Sequence, residues 1–250
     1  MTDVRVRLTL LNPPGEIAVC KGEPPRTKPG NPESLTYVVA AHEGSAPIES
    51  GYLSVVEAYK GARIVEGVAE SSLSGAAGVG CRALRVSLPG GRTDTVLFGD
   101  GRTRRVADGR IAFDGLFGIY SETADGKVEA LLVGGTELGT EARSIRAGGG
   151  IWEGVVSDRE EGCIWTTEMP PEGSDLRGGY ISVINDNERD ACYRINSVYR
   201  EGDRTRIDVG DVNFVRGMVD DLDYSKGLLY DFEPGNAFRV VLTHHRVWTL

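Results

Sequence analysis

Apolar and polar residues alternate with a period of two along most of the chain. Val4, Val6, Leu8 and Leu10 interleave with Arg5, Arg7 and Thr9, which predicts a strand with its apolar face inward. Further strands are predicted at Ile17–Cys20, Leu35–Ala41, Tyr52–Tyr59, Ile64–Val68, Ala83–Leu88 and Thr93–Phe98. The same reading continues through 110–113, 116–121, 128–133, 141–146, 152–157, 163–167, 180–185, 191–199, 204–208, 228–232 and 237–243. Turn residues punctuate these runs: Pro13-Pro14-Gly15, Pro89-Gly90-Gly91 and Asp125-Gly126. Residues 21–34 hold four prolines and two glycines and read as a loop. No segment has the 3.6-residue period of an amphipathic helix. Short apolar runs with frequent turns predict an all-β fold, an antiparallel β-sandwich of two or more stacked sheets with little or no helix.

Composition narrows the class. With 250 residues the chain is long enough to bury a core unaided, and residues 1–250 read as a single all-β domain. The glycines near 134–150 mark a soft division within it. The chain has 28 basic against 37 acidic residues, a net charge of −9, which disfavours nucleic acid and anionic membrane surfaces as partners. No stretch approaches the roughly 18 apolar residues of a membrane-spanning helix. The opening Met1–Arg7 lacks the apolar segment of a secretory leader and enters a strand at once, as an excised fragment of a longer protein would. Cys20, Cys81, Cys163 and Cys192 form no CxxC pair, which leaves buried free thiols or one structural bridge.

Candidate chemistry is sparse. His244 and His245 are neighbours in a strand, so they point to opposite faces and cannot share a metal. His42 stands at a strand end. Asp186, Glu188 and Asp190 have the first spacings of a calcium loop but lack its glycine and closing glutamate, and read as a polar hairpin tip. Asp220, Asp221 and Asp223 read as a solvated turn. No nucleophile elbow or phosphate-binding loop is present, so no catalytic residue, metal site or cofactor is predicted. Trp152, Trp165 and Trp248 are either core residues or platforms for sugar rings. Glu57 and Tyr59 share one strand face. A carboxylate among apolar strand residues needs a partner, so Glu57 is either satisfied by the Tyr59 hydroxyl or an arginine, or part of a polar cleft wall. Glu57, Tyr59 and Trp152 are the substrate-binding candidates.

A family resemblance rests on order and spacing. Tyr52–Gly61, then Ile64–Val68, then Gly91–Leu97 resemble the "VxEPYxG…I…V" stretch and "GxxDxil" hairpin of the C-terminal β region of heparinase II/III-like proteins, with Ala58 in place of the usual proline. Leu131–Thr136, Gly154–Asp158, Leu176–Asn185 and Tyr193–Ile195 extend the likeness over residues 4–240. The resemblance implies a polysaccharide lyase parent, periplasmic or secreted, in which an N-terminal α/α toroid packs on a C-terminal β-sandwich. It implies β-elimination on a uronate-containing polysaccharide by tyrosine and histidine residues that lie mainly on the toroid. This chain holds no toroid, so its expected partners are that toroid and an acidic polysaccharide, and alone it is expected to be inactive. The alternatives are a stand-alone carbohydrate-binding module and a structural or assembly domain. An exposed apolar face where the toroid would dock separates the first reading from the other two.

Overall fold

A computed structural model describes residues 4–11, 15–24, 30, 32–75, 80–185, 191–221 and 223–249. The fold is all-β, and every strand pairing is antiparallel. The N-terminal quarter holds β1 (Arg5–Leu10), β2 (Glu16–Gly22), β3 (Leu35–Ala41) and β4 (Ser54–Tyr59). They form two separate ribbons, β1 with β4 and β2 with β3, the second nested between the strands of the first.

The middle of the chain is a sandwich. It comprises β5 (Gly67–Glu70), β6 (Arg82–Leu88), β7 (Arg92–Phe98), β8 (Arg105–Ala107), β9 (Ile111–Asp114), β10 (Phe117–Glu122), β11 (Val128–Val133), β12 (Glu137–Gly139) and β13 (Ser144–Arg146). The order β13-β12-β9-β8 makes one sheet, and β5, β6, β7, β10 and β11 line up in the other. Between them lies a core of Leu97, Tyr120 and Leu132 from the larger sheet against Ile111, Phe113 and Leu138 from the smaller. The Pro89–Gly91 turn joins β6 to β7 as predicted, with Gly90 at φ 75° and Gly91 at φ 73°, values glycine reaches without a Cβ clash.

The C-terminal part contains β14 (Ile151–Glu160), β15 (Cys163–Thr166), β16 (Tyr180–Val183), β17 (Ala191–Arg194), β18 (Ser197–Glu201), β19 (Arg204–Asp208), β20 (Val215–Met218), β21 (Leu228–Tyr230), β22 (Ala237–Val241) and β23 (Thr243–Trp248). A seven-stranded sheet runs β17-β16-β22-β14-β15-β19-β18, and β20 pairs with β21. Its core is a second cluster, with Val156, Ile164, Ile181, Ile207 and Val240 covered by Phe214 and Phe232 from the connections. The two sheets are linked where the chain returns: after β22 it leaves the seven-stranded sheet, and β23 pairs with β11, completing the six-stranded sheet. At that crossing the Gly134 amide donates to the Leu242 carbonyl at 2.9 Å and the Leu242 amide to the Gly150 carbonyl at 2.9 Å. Gly135 and Gly150 leave no room for a side chain there. A methyl group on Gly135 would strike the Asp114 carbonyl oxygen, and one on Gly150 the Gly135 amide.

Two expectations are corrected. The apolar face of β1 points outward, not inward: Val6 is 69% exposed and Val56 of β4 66%, while Arg7 is half-buried and Glu57 buried. The reason is that the polar face of the ribbon turns toward the loop after β4 and is held there by Glu57. The run read as one strand over 191–199 is two strands, β17 and β18, split at Ile195-Asn196. Ile195 is buried in the C-terminal core and exchanges backbone bonds with Gly178 and Gly179 instead of continuing the ladder.

Candidate functional site

The polar face of the β1–β4 ribbon carries the one predicted pair of site residues that the structure places together. Antiparallel register sets Arg7 opposite Glu57 and Arg5 opposite Tyr59. Directly opposed residues share a face, so these four side chains form one row. Glu57 is 7% exposed. Its Oε1 accepts the Ile64 amide at 2.6 Å and the Val65 amide at 2.7 Å. Its partner is therefore the backbone of the following loop, and not the Tyr59 hydroxyl. The Val65 amide is the largest influence holding the Glu57 carboxyl below its usual range; burial works against it, and the Ile64 amide, Arg7 and Arg63 add to the lowering. Such a carboxylate stays ionised near neutrality, where it is an acceptor and a charge partner for arginine and no proton donor.

Glu57 Oε2 and Arg7 Nη1 are both buried without a hydrogen-bond partner among the described residues. They stand on opposed positions of the same row. A group that donates to one and accepts from the other, as a sugar hydroxyl does, has the chemistry to satisfy both. Arg7 was not among the sequence candidates. Its only signal was its place in the alternation of β1, two residues from Arg5.

Beside the ribbon a cleft of about 330 Å³ opens between the segment before β4 and the six-stranded sheet, bounded by Ser50, Tyr52, Arg82 and Phe98. His42 stacks on Tyr52 with ring centroids 5.2 Å apart and planes 13° from parallel. Tyr52 is exposed at this opening, with the half-buried His42 behind it and a half-buried Arg82 that also faces Glu70 at 3.8 Å; an aromatic ring beside an arginine has the chemistry for a sugar ring bearing a carboxylate. The larger clefts of the C-terminal part are different. One of about 490 Å³ is lined by Asp158, Glu160, Glu161 and Glu233 around an Arg159 that lies 3.8 Å over the Tyr230 ring and pairs with Glu233 at 2.6 Å. Its excess of carboxylates repels a polyanion.

The remaining candidates are structural. Trp152 is 4% exposed and packs edge-on to Phe238 at 5.1 Å in the C-terminal core, so it offers no face to a sugar. Trp165 is buried beneath the Arg204 guanidinium, 4.5 Å from its ring. His244 reaches the Gly149 carbonyl at 3.2 Å and His245 pairs with Glu129 at 2.9 Å, on opposite faces of β23. Asp220 pairs with Lys226 at 2.6 Å, and Asp223 accepts the Ser225 amide and hydroxyl. Asp186, Glu188 and Asp190 lie outside the described residues. All four cysteines are free; Cys81 and Cys163 are buried as predicted, but Cys20 and Cys192 are exposed. No family model, curated protein or solved structure matches the chain.

Proposed function

We propose that the chain is an all-β accessory domain that docks on a larger partner domain through its N-terminal ribbons and walls a cleft for an acidic polysaccharide. One observation carries this reading. Among the described residues, thirteen of the twenty-three exposed large hydrophobic side chains fall within residues 4–64, with Val6, Val19 and Val56 at 66–71% exposure. Side chains as exposed as these, concentrated on a quarter of a chain that elsewhere builds two closed cores, mark a surface made to be covered. In the terms of the heparinase II/III resemblance, the cover is the α/α toroid, and the acidic polymer runs past Arg7, Glu57, Tyr59 and the Tyr52–Arg82 cleft. The chain supplies binding groups to that cleft; the base and acid of a β-elimination belong to the partner.

The test combines a surface probe with a polymer assay. Native chain is expected to enhance the fluorescence of an apolar dye, and Val6→Lys with Val56→Lys to remove most of that signal without altering cooperative unfolding. The chain is then mixed with a panel of uronate polysaccharides. Affinity electrophoresis follows retention, and ultraviolet absorbance follows the unsaturated elimination product. Neither retention nor product is expected from the chain alone. Retention without product would favour a stand-alone carbohydrate-binding module, and product would overturn the proposal.

A further inference from the structure

The β3 strand reads Leu-Thr-Tyr-Val-Val-Ala-Ala, seven residues with no charge and no proline. One edge pairs with β2; among the described residues nothing pairs with the other. Natural edge strands are guarded by lysine, proline, bulges or short length, because an open edge of β-branched residues recruits another strand. The outer edge of the same ribbon follows that rule, since β2 carries Glu16 and Lys21. The β3 edge has no such guard, and its register with β2 is unbroken from Leu35 to Ala41. Its side chains are presented to solvent on both faces: Leu35, Tyr37 and Val39 on one, Val38 on the other.

We propose that this edge pairs with β3 of a second copy of the chain, antiparallel, about a two-fold axis normal to the sheet at Val38. That axis keeps each face of the ribbon on its own side, so opposed residues must share a face. Tyr37 then meets Val39 of the second copy, Leu35 meets Ala41, and Val38 meets Val38. Every pair satisfies the face rule, and no charge opposes another. Electrostatics permit the approach although each chain carries −9: residues 151–250 hold 19 of the 37 acidic and 11 of the 28 basic side chains, so −8 of that charge lies away from the ribbons. A seven-residue edge is about 24 Å long. With its four half-exposed large side chains it falls at the low end of specific interfaces, below about 1,200 Å² in total, which fits a reversible dimer. The pairing uses the backbone edge of β3 and not the faces of the ribbons, so the partner domain and the second copy call on different surfaces.

Sedimentation equilibrium over roughly 1–100 µM, where so small an interface would titrate, tests the pairing. Wild-type chain is expected to pass from 26.9 kDa toward twice that mass. Val19 and Val38 are direct cross-strand partners within the ribbon, so a lysine at either removes the same internal pair. They differ in the edge they occupy. Val38→Lys sets two like charges face to face on the axis and is expected to stay monomeric throughout; Val19→Lys is expected to dimerise like wild type. In parallel, β3 amides of the wild-type chain are expected to gain exchange protection at the high concentration only, a readout independent of how either variant folds. A monomeric wild type, equal loss in both variants, or β3 protection that ignores concentration would each overturn the proposal.

Discussion

The N-terminal ribbons and the two-core body obey the same strand chemistry and end in opposite states. In the body, alternation is cashed as burial: Leu97, Leu132, Ile164 and Ile207 are fully enclosed between layers. In the ribbons, the equivalent positions of β1 and β4 face solvent, and β2 and β3 carry apolar side chains on both faces. Among the described residues, the strands of each ribbon pack mainly against each other. A two-stranded ribbon is marginal in water by itself. Pairing and patterning alone do not make a stable layer, because a sheet needs a second layer against its apolar face.

That contrast predicts how mutations divide. The largest effect is expected in the sandwich core, where Phe113 is 1% exposed beneath Gly118 of the facing sheet. Phe113→Ala is expected to cost about 3–5 kcal/mol in chemical denaturation. Val19→Ala in the ribbon is expected to change the same unfolding free energy by less than about 0.5 kcal/mol. Equal losses at the two sites would mean that the ribbons unfold with the body and share its stability.

Next in size is the junction between the cores. Gly135→Ala has to move the Asp114 strand end or the β23 crossing, since backbone surrounds the site. A cost of about 2–3 kcal/mol is expected, close to the upper range for overpacking. Because β23 ties the two sheets together, the loss is expected in both cores at once, read as one transition at Trp152 of the C-terminal core and at Tyr120 of the sandwich. Two separated transitions would show that the crossing does not couple them.

Much of this architecture was legible in the sequence, and the reasons for the misses are physical. Strands β3, β11 and β19 have their predicted ends: β11 and β19 alternate along their length, and β3 is an uncharged run bounded by polar residues. The three-residue strands β8 and β12 escaped notice because so short a run has no measurable period; they exist through the partners they add to β9. The inverted β1 is more instructive. Period two separates two faces but does not say which one meets the core, and in this ribbon the decision lies with Glu57 and the loop amides it holds. For the candidate site, the Glu57–Tyr59 row followed from strand spacing. Arg7 did not, because its position opposite Glu57 depends on a pairing between strands about fifty residues apart. Trp152 was open between core and platform, and its face of β14 settles it as core.

The smallest expected effect concerns acid, and it sets the two regions side by side. In the body, Asp100 accepts the amides of Arg102 and Thr103, each at 2.9 Å, and the buried Arg105 guanidinium at 3.0 Å. The Arg102 amide is the largest cause that holds the carboxyl down at about 2, against the cost of burial. In the ribbon, Glu57 is lowered by the Val65 amide above all. Both groups therefore bind protons more weakly folded than unfolded. Their stabilisation is complete above the unfolded carboxyl values and is lost as pH falls through the folded ones. For Asp100 that window runs from 3.8 down to about 2. Protonating it removes a contact from the buried Arg105, so Asp100→Asn is expected to flatten the acid limb of global stability. Glu57→Gln is expected to leave that limb unchanged and to accelerate amide exchange only at Ile64 and Val65, most visibly near neutral pH, where the native carboxylate is fully charged. If Glu57→Gln instead shifts the global acid limb, the ribbon is thermodynamically part of the body.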